Sequence, residues 1–230
     1  MAGNLVRHVE DEEPMRVSHS GSQRFRTSAV SMIAVAIAWA LSSGASAETG
    51  GLYDAGPRVP ANIDVPAGYV LFFKARATGT QNYVCLPAAS GASWKFIAPQ
   101  ATLFDTFKGQ IPLQLTTHFL SANPTENGLP RPTWQHSFDS SRVWGRAIAL
   151  STDVNFVEPG AIPWLLLEAV GVTAGPGGGL FLTQTAFLQR LNTSGGVAPA
   201  TGCSQSTDVG ALALVPYTAD YFFYRARHDK

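Results

Sequence analysis

The chain has 230 residues, of which 45% are hydrophobic and 14% are charged, so it can bury enough apolar surface to fold and lacks the composition of a disordered protein. Sixteen Lys and Arg balance sixteen Asp and Glu. Because there is no excess of positive charge, nucleic acid is not expected as a partner.

The N-terminal part of the chain has the order of an export signal. Arg16, Arg24 and Arg26 precede an apolar run at residues 29–41, and an Ala-Ser-Ala motif ends at Ala47. The run has about 13 residues, fewer than the roughly 20 that a membrane-spanning helix needs. We therefore predict that residues 1–47 are an N-terminal extension and a cleavable signal peptide, with Met15 as an alternative start. The remainder is expected to be secreted or periplasmic, with no membrane span.

Removal of this leader leaves about 180 residues, a length that suits one domain with a substantial core. Residues 48–66 are rich in proline and glycine, which predicts an extended, irregular segment along the domain surface. Residues 67–227 are predicted to form a single β domain.

Strand-length runs follow one another along this domain, separated by turn residues. They occupy residues 69–77, 81–86, 94–97, 101–107, 113–120, 133–138, 142–150, 211–215 and 217–226. Residues 78–80 are predicted to be a turn, and the proline-rich residues 121–132 a long loop of the kind that often carries function. Residues 162–170 and 181–191 fit either a strand or a short helix. The succession predicts an all-β, mainly antiparallel domain, a sandwich or barrel with long loops and at most one or two short helices.

Two cysteines, Cys85 and Cys203, are present in the chain. In an oxidising compartment a disulfide between them is expected, and it requires their Cα atoms to lie within about 7 Å. The alternative is a catalytic thiol, which would need an unpaired sulfur and a partner base.

A hydrolase-like site is one hypothesis for the function. His118 precedes the predicted loop and is the candidate base, with Asp139 or Asp220 as the orienting carboxylate. The alternative is that His118 packs at the end of a strand. The sequence has no paired-ligand histidine spacing, no Gly-x-Ser-x-Gly and no dinucleotide fingerprint, so neither a metal site nor a cofactor is predicted.

A binding site for a small molecule or glycan is the other hypothesis, with His118, Trp134, Arg190 and Asn192 as its candidates. Trp134 would contribute to a sugar-stacking face, unless it belongs to the core. Arg190 and Asn192 lie among apolar and turn residues, where they either line a pocket or form structural hydrogen bonds. Since a buried arginine without a carboxylate is costly, Asp220 is predicted to pair with Arg190.

Several strings resemble the family known as domain of unknown function 3455. The most specific are Gln-Arg-Leu-Asn-Thr at 189–193 and Tyr-Thr-Ala-Asp-Tyr at 217–221, and the resemblance extends over nearly the whole predicted domain. It implies a secreted domain without an assigned reaction or ligand. A dehydrogenase label carried by some fungal members is not transferred, because this chain lacks a dinucleotide-binding unit. A non-catalytic extracytoplasmic binding or structural protein is the favoured interpretation, with the hydrolase-like enzyme as the alternative.

Overall fold

The structure is a computed structural model that describes residues 56–107 and 111–227. The predicted leader, residues 1–47, and the first part of the predicted extended segment lie outside the described residues.

Eight antiparallel strands within the described ranges pair in chain order, and the last pairs with the first to close a barrel. They are β1 (Tyr69–Ala88), β2 (Gly91–Phe107), β3 (Ile111–Asn123), β4 (Leu129–His136), β5 (Arg142–Ser151), β6 (Trp164–Thr173), β7 (Phe187–Gly195) and β8 (Leu212–Ala226). The helical segments in the same ranges are 3-10 turns of three or four residues. The predicted all-β, mainly antiparallel domain is thus confirmed, and its architecture is a barrel.

No helix in the part of the chain that the structure describes is long and apolar enough to cross a membrane.

β1 is one continuous strand where the sequence predicted two strands and a turn. Gly79 lies within it, opposite Ala101 of β2, and a β-carbon at this position would overlap the main-chain oxygen of Gln100. The glycine therefore reflects the close approach of two strands and not a turn.

Other breaker residues also fail to end strands. β2 joins the predicted strands 94–97 and 101–107 across Pro99, which remains in register with β1. β8 likewise joins its two predicted halves across Pro216. Pairing with a neighbouring strand therefore continues a strand where local propensity alone would stop it.

The predicted long loop at residues 121–132 is wrong. This stretch comprises the end of β3, a single 3-10 turn at Pro124–Glu126 and the start of β4, and it pairs as a hairpin. The ambiguous segment 162–170 mostly belongs to strand β6, and residues 181–191 divide between a 3-10 turn (Phe181–Gln184) and β7.

The barrel interior is filled by alternate residues of the strands, as the two-residue period of a strand requires. Small side chains of β1 and β2 face large aromatic side chains of β4 and β8. The small residues are Ala75, Ala77 and Ala101, and the large ones are Trp134, Tyr221 and Phe223. This combination of small and large residues fills a narrow barrel without overpacking it.

The connection between β6 and β7 closes one end of the barrel. Its 3-10 turn inserts Leu182, which is fully buried, and places the ring of Phe181 5.2 Å from that of Phe73. The β1–β2, β3–β4, β5–β6 and β7–β8 connections all lie at the opposite end, which we call the open end.

The described part of the predicted extended segment packs on the outer face of the barrel. It forms a 3-10 turn at Ala61–Ile63, and Ile63 packs in an outer apolar cluster with Trp164 and Phe222. Gln189 donates a hydrogen bond to the carbonyl of Ile63 at 2.7 Å. The segment therefore shields outward-facing apolar side chains of β6, β7 and β8.

The predicted disulfide between Cys85 and Cys203 is confirmed, with the Cα atoms 5.5 Å apart and 118 residues of sequence separation. It ties β1 to the β7–β8 connection at the open end. The hydroxyl of Tyr83 donates to the carbonyl of Gly196 at 2.7 Å, which fixes the same connection to the barrel. Since both cysteines are bonded to each other, the catalytic-thiol alternative is wrong.

Candidate functional site

The barrel contains a partly open cavity of about 110 Å³. Its apolar walls come from Phe96, Pro99, Pro132, Leu165 and Leu167, and its remaining lining from Gln81, His118, Trp134, Arg190 and Tyr221. Leu165 is the second residue of β6 and Phe96 lies in the first half of β2, and both strands begin at the open end. The cavity is therefore displaced from the end that the β6–β7 connection closes.

Arg190 faces this cavity from β7. Its cross-strand neighbours, Leu165 on β6 and Tyr221 on β8, line the cavity as well. Its Nη2 donates to the carbonyl of Pro163 at 2.8 Å, whereas its Nε is buried and has no hydrogen-bond partner. Among the described residues no carboxylate lies within ion-pair distance of this guanidinium.

The predicted pairing of Arg190 with Asp220 is wrong. Asp220 precedes the inward-facing Tyr221, so the alternation of the strand turns it outward. On the outer face it accepts from Arg76 at 3.3 Å and from the side-chain amide of Asn192 at 2.8 Å. The structure therefore separates the three predicted residues: Asn192 and Asp220 are hydrogen-bonded on the outer face of the barrel, and Arg190 lies on the inner face.

His118 faces the cavity from β3. Its ring stacks on Trp134 with the centroids 4.2 Å apart, and its Nδ1 lies 2.9 Å from the carbonyl oxygen of Thr133. Because a carbonyl oxygen can only accept, Nδ1 carries the proton. Burial lowers the pKa of His118 to about 3; the hydrogen bond to Thr133 opposes this shift, and the charge of Arg190 adds to it. The imidazole is thus neutral at physiological pH.

Trp134 is 1% exposed and forms part of the cavity wall. The exposed sugar-stacking face predicted for it is therefore not formed by this ring. Its indole N–H is buried without a hydrogen-bond partner in the described structure.

Asp139 lies in the turn between β4 and β5, in a network that closes the far end of the barrel. It accepts hydrogen bonds from His136 at 3.0 Å, from the Ser141 hydroxyl at 2.7 Å and from the main-chain N–H of Phe181 at 2.9 Å. Burial acts to raise the pKa of Asp139, but these hydrogen bonds outweigh it and hold the pKa well below its usual range. The carboxylate is therefore an ionised structural anchor.

The Ser141, His136 and Asp139 side chains do not form a nucleophile and base pair. Ser141 donates to Asp139 and accepts from the main-chain N–H of Leu182, so its hydroxyl is engaged away from His136. Nucleophilic catalysis would instead require the hydroxyl to donate to the imidazole. His118 makes its polar contact with a main-chain carbonyl, so it is not oriented by a carboxylate either.

Sequence reasoning missed Gln81, Tyr217 and Tyr221. Gln81 is 3% exposed, lines the cavity and has a buried amide N–H without a hydrogen-bond partner. The hydroxyls of Tyr217 and Tyr221 lie 3.4 Å apart. Burial raises the pKa of Tyr221, and the charge of Arg190 opposes this rise.

A signal for Gln81 is present in the sequence. Ala75, Ala77 and Gly79 occupy alternate positions of β1, and Gln81 is the next residue in that series. A polar residue on the apolar face of a strand is an informative exception to the usual pattern. Recognising it requires knowing that the strand continues through Gly79.

The described residues contain no group of three or more His, Cys, Asp and Glu side chains placed to hold a metal ion.

Comparison with known proteins gives a family but no characterised relative. No curated protein and no solved structure matches the chain significantly. A sequence profile for the family described as "Protein of unknown function (DUF3455)" matches residues 66–225, which is more than half of the chain and contains all the cavity-lining residues. The chain therefore belongs to the DUF3455 family.

Proposed function

We propose that this protein is an exported, non-catalytic binding protein that holds a small molecule inside its barrel. The observation that carries the proposal is Arg190, a positive charge that faces an apolar cavity without a carboxylate partner in the described structure. An unpaired buried charge or N–H group is unfavourable, and such groups are expected where a bound molecule completes them.

The shape of the cavity also supports binding. Small-molecule sites are concave, mainly apolar and contain a few polar groups that orient the ligand. This cavity has apolar walls, a few polar groups that include those of Gln81, His118 and Arg190, and a position toward the open end. The arrangement would let part of a ligand enter between the strands while the rest stays near the surface.

The arrangement favours binding over hydrolysis. The imidazole of His118 would serve poorly as a general base, because burial lowers its pKa to about 3. The carboxylates that the enzyme hypothesis needs, Asp139 and Asp220, make their hydrogen bonds elsewhere.

An extracytoplasmic location is part of the proposal. It rests on the signal-like order of residues 1–47, and the disulfide between Cys85 and Cys203 agrees with an oxidising compartment.

Titration with short-chain alcohols, amides and carboxylates tests the proposal. Binding is read from the rise in Tm and from tryptophan fluorescence, to which Trp134 in the cavity wall should contribute. Leu165→Phe adds volume on the inner face and is expected to abolish the rise in Tm. Leu214→Phe, at an outward position that is 62% exposed, is the matched control and should respond like the wild type.

Trp134→Ala removes the reporter ring and should abolish the fluorescence response. The proposal fails if no compound in the panel binds, or if Leu165→Phe and Leu214→Phe bind the ligands equally well. Far-UV circular dichroism of both leucine variants establishes that each is folded.

A further inference from the structure

Three side chains of the cavity lining carry a buried N–H group that makes no hydrogen bond of normal geometry, although Gln81 interacts with the hydroxyl of Tyr217 and Arg190 with that of Tyr221. They are Nε of Arg190, Nε2 of Gln81 and Nε1 of Trp134, and the last two residues are 3% and 1% exposed. All three atoms can only donate hydrogen bonds. The complementary ligand group is therefore one that accepts several hydrogen bonds at once.

The charge of the cavity lining indicates that the ligand group is negatively charged. The guanidinium of Arg190 is positively charged, while His118 is neutral and its Nδ1–H already donates to the carbonyl of Thr133. No carboxylate lines the cavity. Arg190 is half-buried, and the positive charge of a partly desolvated side chain is best neutralised by one negative charge, because the attraction between charges is stronger there than in bulk water.

The volume and the apolar walls of the cavity favour an organic anion over an inorganic one. About 110 Å³ is less than the roughly 150 Å³ of a cavity that holds benzene, so the site has room for an anionic group and a few carbons. Leu165, Leu167 and Pro132 would desolvate a strongly hydrated phosphate without replacing its hydrogen bonds. Phe96 lines the cavity and is also 51% exposed, so it marks where a longer apolar body would reach the surface.

We infer that the cavity binds an organic monocarboxylate, with the carboxylate at Arg190, Gln81 and Trp134 and a short aliphatic body against the apolar walls. This inference rests on the proposed binding function and specifies its ligand class. Arg190 supplies the charge, and the neutral donors of Gln81 and Trp134 define the orientation of the carboxylate.

Calorimetric titration with hexanoate and with its uncharged analogue hexanamide tests the inference. The wild type is expected to bind hexanoate at least about tenfold more tightly than hexanamide, as a charge-assisted hydrogen bond implies. Arg190→Met should remove this preference, and Arg190→Lys, which keeps the charge but loses Nε, should retain part of it. Arg76→Met, which removes an exposed arginine on the outer face, is the control and should behave like the wild type.

Three outcomes would overturn the inference. In the first, wild-type protein binds hexanamide as tightly as hexanoate. In the second, the preference for hexanoate survives in both Arg190 variants. In the third, inorganic phosphate displaces hexanoate at equal concentration, which would indicate a general anion site.

These outcomes are distinct from a failure of the proposed function. If hexanamide binds and Leu165→Phe blocks it, but no preference for the carboxylate is found, the barrel remains a binding site and only the ligand class is wrong. If neither compound binds, the proposed function itself fails.

Discussion

Burial of His118 should make the barrel sensitive to mild acid. The pKa of this imidazole is about 3 in the folded protein, against 6.5 for an exposed histidine. Between these two values the unfolded chain binds a proton that the folded barrel does not, so the free energy of unfolding falls as the pH falls. From pH 7 to pH 4 the linkage relation gives a loss of about 3 kcal/mol from this one residue.

The test compares wild type with His118→Phe by urea unfolding, followed by circular dichroism, at several pH values between about 7 and 4. Phenylalanine can still stack on Trp134 but cannot ionise, so the loss on acidification should be about 3 kcal/mol smaller in the variant. The low-pKa carboxylates Glu126, Asp139 and Asp208 occur in both proteins and cancel in the difference.

His118→Gln serves as a second variant, since its side chain can still donate to the carbonyl of Thr133. It should show the same reduced pH dependence as His118→Phe, whatever its stability at pH 7. Parallel curves of stability against pH for the wild type and both variants would refute the assignment of a buried neutral imidazole.

Two further predictions concern the stability of the barrel. Replacing Cys85 and Cys203 together by serine should lower the free energy of unfolding by roughly 2 to 5 kcal/mol, and reduction of the wild type should cost a similar amount. Equal urea midpoints for the oxidised wild type and the double variant would contradict this. Gly175→Ala should be strongly destabilising, because the added β-carbon would overlap the main-chain oxygen of Asp139, whereas Gly177→Ala meets no atom within 4 Å and should have little effect. Similar midpoints for these two variants would show that the β6–β7 connection tolerates a side chain at Gly175.

The sequence by itself was sufficient for the strand character of the domain and for the disulfide. Alternation of apolar and polar residues is a local property, so the hairpin at residues 133–150 was recognisable without knowledge of its neighbours. The chain contains two cysteines, so an intramolecular disulfide of Cys85 can form with Cys203 alone. That pairing is the one in the structure.

Strand lengths depended on tertiary structure. Gly79 and Pro99 are local breaker signals, yet both lie within long strands, because Gly79 pairs with β2 and β8 and Pro99 pairs with β1. The resulting contacts are distant in sequence, and no local propensity contains them. The choice between a sandwich and a barrel likewise depended on the pairing of β8 with β1, the two strands farthest apart in the chain.

Which face of a strand points inward also emerged only in three dimensions. Arg190 and Asp220 were sound candidates for an ion pair from composition alone, but they lie on opposite faces of adjacent strands. A displacement of one residue reverses the face of every side chain in a strand, and the register shift between Leu191 and Ser194 shows that such displacements occur in β7. Sequence therefore identified Arg190 as unusual, whereas the closed barrel placed it beside Gln81 in an apolar cavity, because that neighbourhood is assembled from strands far apart in the chain.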